Sequence, residues 1–577
     1  TDIATIRRGY EEPASSLFRF NGESAVGLAI GMKTGSNLLE FGEALEKRMD
    51  EIIQDMPIGV NIQKVSDQPA VVEEAVSGFT TALMEAIVIV LVISFISLGI
   101  RAGLVVAISI PLVLAITFLV MAYSGISLQR ISLGALIIAL GLLVDDAMIA
   151  VEMMVARLEA GDTLRKAATH VYTSTAFPML TGTLVTVAGF IPIGLNSSAA
   201  GEFTFTLFVV IAVSLLVSWV VAVLFTPLLG VSILPETMKN HHGERGWFTR
   251  LFMAALGAAM RFRWVTITLT VVAFGFSVYG MGFVQQQFFP SSDRPELVVD
   301  WNLPQNGSIA ETNRQMAQFE TQALAGNPGV DHWSTYVGQG APRFLLSFDV
   351  QAADVTFGQT VIVTKGLEVR DKLRADLQAY LKQAFPGTDA FVKLLDIGPP
   401  VGKPVQYRVS GPDLQTVRKL SQGWAGKLMK NSNLTNITYD WNEPARVVKV
   451  DVLQDKARQL GVTSEDIASV LNGIVDGSTV TQVRDDIYLV SVVSRAQDSE
   501  RGSIDTLYNL QLPGANGKSV PLSAVVTFRY ELEQPVIWRR DRVPTITIKA
   551  GVASKLQPAT VVEQLAPDLV AFKKTLP

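Results

Sequence analysis

Six apolar stretches, each about long enough to cross a bilayer as a helix, lie in the first half of the chain at 79–99, 103–123, 131–155, 171–195, 203–233 and 264–284. In hydrocarbon every backbone N–H and C=O must be satisfied within the segment, so such runs fold as helices. Charged residues make up 18% of the chain against 49% hydrophobic, a balance that fits a membrane-embedded protein better than a soluble one of 577 residues. Four of the spans hold no Asp, Glu, Lys or Arg. The first holds Glu85, and the third holds Asp145, Asp146 and Glu152.

Loop charges orient the helices. With six spans, the segments before Phe79 and after Val284 share one side. The opposite side receives Arg101, Arg157, Arg165, Lys166, Lys239, Arg245, Arg250, Arg261 and Arg263, nine basic residues against Arg130 alone. The positive-inside rule then puts the basic loops in the cytoplasm and both flanks outside it, in the periplasm for a bacterial inner membrane. Within the long basic loop, WFTRLFMAALGAAMRF (247–262) has apolar residues at helical spacing and is expected to lie along the interface; an ordinary connector helix is the alternative.

Net charge is −5 with no basic run, which sets nucleic acid aside. The absence of cysteine excludes disulfides, thiolate metal sites and cysteine nucleophiles; no metal site or cofactor is expected. The opening residues do not form a signal peptide, so a targeting segment would lie outside this sequence.

From about 285 onward strand-like runs (ELVVDW, RFLLSFDV, TVIVTK, VQYRVS, RVVKVDV, IYLVSVV) alternate with helical runs such as Ala310 to Leu324 and Leu367 to Ala384. The pattern predicts small α/β sandwiches with helices on one sheet face. In GVTSEDIASVLNG (461–473), Thr463 or Ser464 is placed to cap a helix. Phe20–Pro57 lies without gaps on Arg540–Pro577 (540 − 20 = 520): Gly31, Glu43, Leu45 and Pro57 match Gly551, Glu563, Leu565 and Pro577, and AVGLAIG falls on TITIKAG. A strand followed by a helix is expected at both ends. The repeat implies the middle of a two-fold repeated transporter, without a first helix and a second helical block.

Acids at bilayer depth cost several kcal/mol unless protonated or partnered, which makes Asp145 and Asp146 the foremost functional candidates. Neighbours on a helix point about 100° apart, so the two are expected to be buried against different neighbours. Asp145 and Glu152, seven apart, share a face. Adjacent carboxylates titrate as a coupled pair able to load and release protons. A purely structural role, bonding a cation in another helix, stays open, and so do snorkelling roles for Glu85 and Glu152. No span of this sequence contains Lys or Arg, so such a cation would come from elsewhere. Pro111, Pro178, Pro192 and Pro227 interrupt spans and offer bending points.

GLLVDDAMIAVEMMVARLE (141–159) resembles the fourth transmembrane helix of the resistance-nodulation-division (RND) superfamily, in its hydrophobe and amphiphile efflux branch. Glu85 in MEAIVIVLVISF, TPLL at 226–229 and LGVTSEDI at 460–467 extend the resemblance to that family's second helix, sixth helix and docking domain. The resemblance implies an α-helical transmembrane bundle with periplasmic α/β porter and docking subdomains. Residues 1–70 would end a first porter half, 71–233 hold five transmembrane helices, 234–263 form a cytoplasmic loop and 264–284 a further span. Residues 285–400 would be a porter subdomain, 401–442 and 536–577 the two parts of another, and 443–535 the docking domain.

It further implies a proton relay at Asp145 and Asp146, with its partner lysine, arginine and threonine on helices outside this sequence. Met153, Ala156 and Arg157 depart from the family's usual Asn and Glu-Arg pair. A paired rather than single acid argues for organic substrates. VGQGAPRF (337–344) occupies the place of the family's glycine-rich gating loop, making Gly338, Gln339, Gly340, Arg343, Phe344 and Phe348 candidate pocket residues; a plain turn with core phenylalanines is the alternative. Implied partners are a homotrimer, a periplasmic adaptor (membrane fusion) protein, an outer-membrane channel, membrane lipid and small amphiphilic substrates. The implied activity is proton-driven efflux, the chain being a secondary transporter and not an enzyme. A protein-export accessory and a metal-ion exporter of the same superfamily are the alternatives. An intramembrane aspartyl protease needs two acids converging from different helices, which the adjacent pair does not offer.

Overall fold

The computed structural model describes residues 4–236, 247–284, 292–345, 347–396, 398, 402–534, 536–553 and 556–577. In chain order the first elements are β1 (Leu17–Phe20), β2 (Glu23–Ser24), α1 (Leu38–Asp55), α2 (Gln68–Leu98), α3 (Ile100–Tyr123), α4 (Arg130–Glu159), α5 (Leu164–Gly194), α6 (Ala199–Ile233), α7 (Trp247–Arg261) and α8 (Arg263–Met281). All six expected spans are helices long and apolar enough to cross a membrane. Most overrun their apolar cores. Asp67 caps α2 by accepting from the Ala70 N–H, and Pro69 stands in its first turn, so the helix starts well before its apolar run. Lys64 bridges Glu46 in the middle of α1 and Asp67, tying α1 to the polar start of α2.

Helices α2 to α6 form one bundle, with α6 against α3, α4 and α5. Val105, Ile110, Leu136, Leu143, Ala147, Met154, Ile211 and Leu215 fill it. Small residues permit the close approaches: a Cβ on Gly103 would meet the Phe95 ring at 2.4 Å, and one on Gly230 the Met154 Sδ at 2.7 Å. Helix α8 buries no residue against the bundle. The segment read as lying along the interface is α7, amphipathic and followed directly by α8. Lys239 and Arg245 lie outside the described residues.

Beyond the bundle the elements are β3 (Glu296–Asn302), α9 (Ile309–Phe319), β4 (Val330–Val337), β5 (Phe357–Thr364), α10 (Leu367–Ala384), β6 (Asp389–Leu394), β7 (Val405–Ser410), α11 (Leu414–Leu428), β8 (Leu434–Tyr439), β9 (Ala445–Val452), α12 (Gln454–Leu460), α13 (Ser464–Val475), β10 (Ser478–Asp485) and β11 (Tyr488–Ser494). There follow α14 (Asp498–Arg501), α15 (Ile504–Tyr508), β12 (Gln511–Pro513), β13 (Ser519–Pro521), β14 (Val526–Glu533), β15 (Arg539–Arg540), β16 (Val543–Val552) and α16 (Pro558–Lys573).

Three units result. The first is an antiparallel sheet ordered β2-β1-β4-β5-β3-β6. Strand alternation sends Leu297, Val299 and Trp301 of β3 into a core with Met316 and Phe319 of α9 and Leu373, Leu377 and Leu381 of α10, while Val298 points into a smaller cluster on the opposite face. Helix α9 continues through a π-turn at Glu320–Leu324, so the helical run predicted over 310–324 changes hydrogen-bond pattern at its end. In the second unit β16 pairs with β7, β8 and β15, under α11 and α16, around Trp424, Ile546, Ile548 and Leu565. The third holds the β9–β14 ribbon, α12, α13 and the β10–β11 hairpin around Ile467, Leu512, Leu522 and Val525. Here Thr463, not Ser464, is the cap of α13, in a reciprocal capping box with Asp466.

Two predicted strands are absent. Shifted by 520, α16 begins at 558 − 520 = 38, where α1 begins, so the helical half of the end-to-end repeat is present. The strand half is not: 25–31 is irregular and exposed, because β16 lies between partner strands, whereas this segment has none beside it among the described residues. The described residues of RFLLSFDV likewise form no strand. Phe344, Leu345 and Phe348 cover the second face of the first sheet, where the rings of Phe348 and Phe344 lie 4.7 Å apart and Phe348 joins Val298, Tyr336 and Val361. An unpredicted hairpin, Asn21-Gly22 with φ of 49° and 85°, joins β1 to β2 and seats the N-terminal flank on β4.

Candidate functional site in the helical bundle

Asp145 and Asp146 lie midway along α4, a 30-residue helix of about 45 Å. Their one-residue offset separates their surroundings. The Asp146 side chain is half-buried toward α5, where the hydroxyl of the buried Thr183 donates to its Oδ2 at 3.5 Å. Asp145 lies on an open face of α4 with Gly141, Ile149 and Glu152. The expectation that both acids are buried is therefore corrected for Asp145. Helix α4 spends one side on α2, α3, α5 and α6; from Asp146 at the edge of that side, one step of 100° takes Ala147 into the core and the opposite step takes Asp145 out of it.

Other polar contacts hold the backbone near this level. Ser218 of α6 donates to the Leu143 carbonyl at 3.0 Å, two residues before the pair, and Trp219 Nε1 donates to the Ala176 carbonyl of α5 at 2.9 Å. Ser109 of α3 and Thr226 of α6 share a hydrogen bond at 3.2 Å. Each pins a helix to a neighbour where apolar packing alone leaves sliding cheap.

Glu85 is exposed on α2, and Glu152 is exposed on α4 two turns from Asp145. The structure shows no hydrogen bond or ion pair joining either to the aspartates. Arg157, at the departure from the family pattern, pairs with Asp162 at 3.0 Å. Thr183 is the residue that reading the sequence missed. A threonine in an apolar span is no signal by itself, because its hydroxyl can satisfy itself on the preceding turn.

The glycine-bearing loop is built into the first sheet's second face. Gly338 has φ of +80°, donates its N–H to the Phe357 carbonyl, and leaves no space for a Cβ, which would meet the Ser15 carbonyl at 2.7 Å. Gly340 is buried, Gln339 half-buried, and the Ala341 N–H donates to Gln359 at 2.8 Å. Phe348 is core and Phe344 partly so; Arg343 is exposed.

Residues 1–571 match the family model described as the AcrB/AcrD/AcrF family, nearly the whole chain and including the helix that carries the two aspartates. The chain belongs to the AcrB/AcrD/AcrF family. It is thus an RND-type efflux transporter and a multi-pass membrane protein, and the family is one of transporters rather than enzymes. In this AcrB/AcrD/AcrF-family protein the two carboxylates lie at mid-span of one such helix, and among the described residues the three α/β units offer no helix of membrane-spanning character.

Proposed function

We propose that this protein expels hydrophobic and amphiphilic compounds from a bacterial inner membrane, driven by the proton gradient, with Asp145 and Asp146 carrying the protons. The observation that supports the reading most is the division of the pair: one carboxylate addresses a hydroxyl inside the bundle, and the other lies on a face that no described helix covers. An ionised Asp146 only accepts; a protonated one also donates, so uptake of a proton removes a charge and reverses the sense of its bond with Thr183. The open face of α4 would be covered by a further helix carrying a cation, since a bare carboxylate facing lipid is costly. Each charge crossing about 100 mV contributes ~2.3 kcal/mol, so an uphill step takes one or more protons per substrate.

In this reading the three α/β units are periplasmic, 443–535 is the docking domain, and the protein works as a homotrimer with an adaptor protein and an outer-membrane channel. The separate core of that third unit argues against a protein-export accessory, which has no use for a docking surface. Glu85 and Glu152 hold supporting positions, and Gly338, Gln339, Gly340, Arg343 and Phe344 border the substrate path.

The test is Asp145→Asn and Asp146→Asn, each in the full protein in cells lacking their own pumps, with dye accumulation and membrane insertion measured together. Each is expected to abolish extrusion at normal insertion. Undiminished extrusion by both overturns the proposal. Co-purification with the translocon in place of an outer-membrane channel favours the protein-export accessory.

A further inference from the structure

At the end of the bundle where α4 hands over to α5, a cleft of about 420 Å³ is lined by Arg157, Asp162, Arg165, Lys166, Thr169, His170 and Thr173. The five α5 residues fall at i, i+1, i+4, i+5 and i+8 and so line one face of the helix, over about 12 Å of its length. Arg157 comes from the last turn of α4 and Asp162 from the turn between.

The charge here is unbalanced. Three permanent cations face one carboxylate, and that carboxylate is already paired with Arg157. Among the described residues neither Arg165 nor Lys166 has an acidic partner. Both sit in the first turn of α5, where the helix dipole is positive and where the cap residue Thr163 makes no side-chain hydrogen bond to the free N–H groups. Cations at a helix start are unfavourable by themselves. The hydroxyls of Thr169 and Thr173, farther along the same face, donate to carbonyls of the preceding turn, so the donors facing the cleft are those of the arginines and the lysine.

We infer that this cleft binds a phosphate group, and that the group is presented by an anionic phospholipid. Phosphate is favoured because guanidinium and ammonium groups line a space at a helix start whose cap residue leaves the first N–H groups without a side-chain partner. The lipid source is favoured by what lies along α5 beyond the cleft. Tyr172, Phe177, Leu184 and Val185 are exposed apolar side chains, at 61%, 77%, 50% and 68%. They continue toward the membrane interior as a surface for acyl chains, which free phosphate does not need. The loop is also one that the charge asymmetry places in the cytoplasm, beside the anionic leaflet surface. This site uses none of the residues assigned to proton coupling, and it does not rest on that assignment.

The experiment is native mass spectrometry of the full protein released from mixed micelles holding phosphatidylglycerol and phosphatidylcholine in equal amounts, with and without inorganic phosphate. The wild type is expected to retain phosphatidylglycerol preferentially. Arg165→Gln with Lys166→Gln is expected to lower that retention about 25-fold, at about fivefold per cation removed. The charge-keeping pair Arg165→Lys and Lys166→Arg is expected to keep it, which separates lost binding from lost folding. Equal retention of both lipids by the wild type, or unchanged phosphatidylglycerol retention in the Gln pair, overturns the proposal. Displacement of phosphatidylglycerol by millimolar inorganic phosphate shows that the acyl surface adds nothing, and overturns the lipid assignment.

Discussion

Arg19 of β1 and Glu320 at the end of α9 form a buried pair whose side chains are 8% and 2% exposed. Arg19 Nε and Nη2 donate to the two carboxylate oxygens, each at 3.0 Å, and Nη1 donates to Asn313. The pair fastens the strand ahead of α1 and α2 to the sheet that follows the membrane helices, so it links the N-terminal flank to the first α/β unit. Arg19→Met strands an uncompensated carboxylate beside apolar surroundings, which costs about 3–5 kcal/mol. If β1 opens locally, its exchange rises about a hundred- to several-thousand-fold. Arg19→Met with Glu320→Leu removes both charges together and is expected to bring exchange back to within about tenfold of wild type. Hydrogen–deuterium exchange of the peptide spanning Leu17–Phe20, with α10 as internal control, reads all three proteins. Exchange of the single variant within about threefold of wild type would refute the reasoning, as would a double variant as fast as the single.

Thr183→Val is expected to slow transport and to shift its pH profile at unchanged membrane insertion, because it removes the hydroxyl that donates to Asp146; Thr183→Ser keeps the donor and should keep the profile. Gly358→Ala places a Cβ 2.1 Å from the buried Met316 Sδ and 3.2 Å from the Tyr336 carbonyl, so the first sheet should lose about 1–3 kcal/mol in chemical denaturation. Lys403, between the first and second units, hydrogen-bonds Thr438 at 2.7 Å and lies 3.4 Å from Asp389; burial depresses its ammonium below the ordinary 10.5, with Asp389 opposing. The unfolded chain therefore holds that proton more tightly, and stability rises with pH between the depressed value and 10.5. Melting of wild type against Lys403→Met across that interval should show this rise in the wild type alone.

Much of the architecture was legible because the physics behind it is local. Uninterrupted apolar runs, a capped Thr463 start, and alternating strands such as ELVVDW carry their structure in their own periodicity. AVGLAIG and RFLLSFDV show where this stops. Both have the composition of strands, but a strand exists only beside another one. The first has no strand beside it among the described residues, and the second finds more apolar contact lying across a sheet than extending it.

The candidate site divides along the same line. That two acids occupy mid-span of an apolar helix, and that helical geometry turns them apart, follows from sequence alone, since 100° per residue needs no partner to specify it. Which acid faces inward does not. Asp146 meets Thr183, and Asp145 faces out, only because α4 packs one particular side against α2, α3, α5 and α6. That choice sums many apolar contacts along the whole helix, too many and too weak to read from any short motif. The buried Arg19–Glu320 pair, 301 residues apart in sequence, and the basic cleft where α4 meets α5 were likewise decided by tertiary packing, which alone determines which charges end up as neighbours.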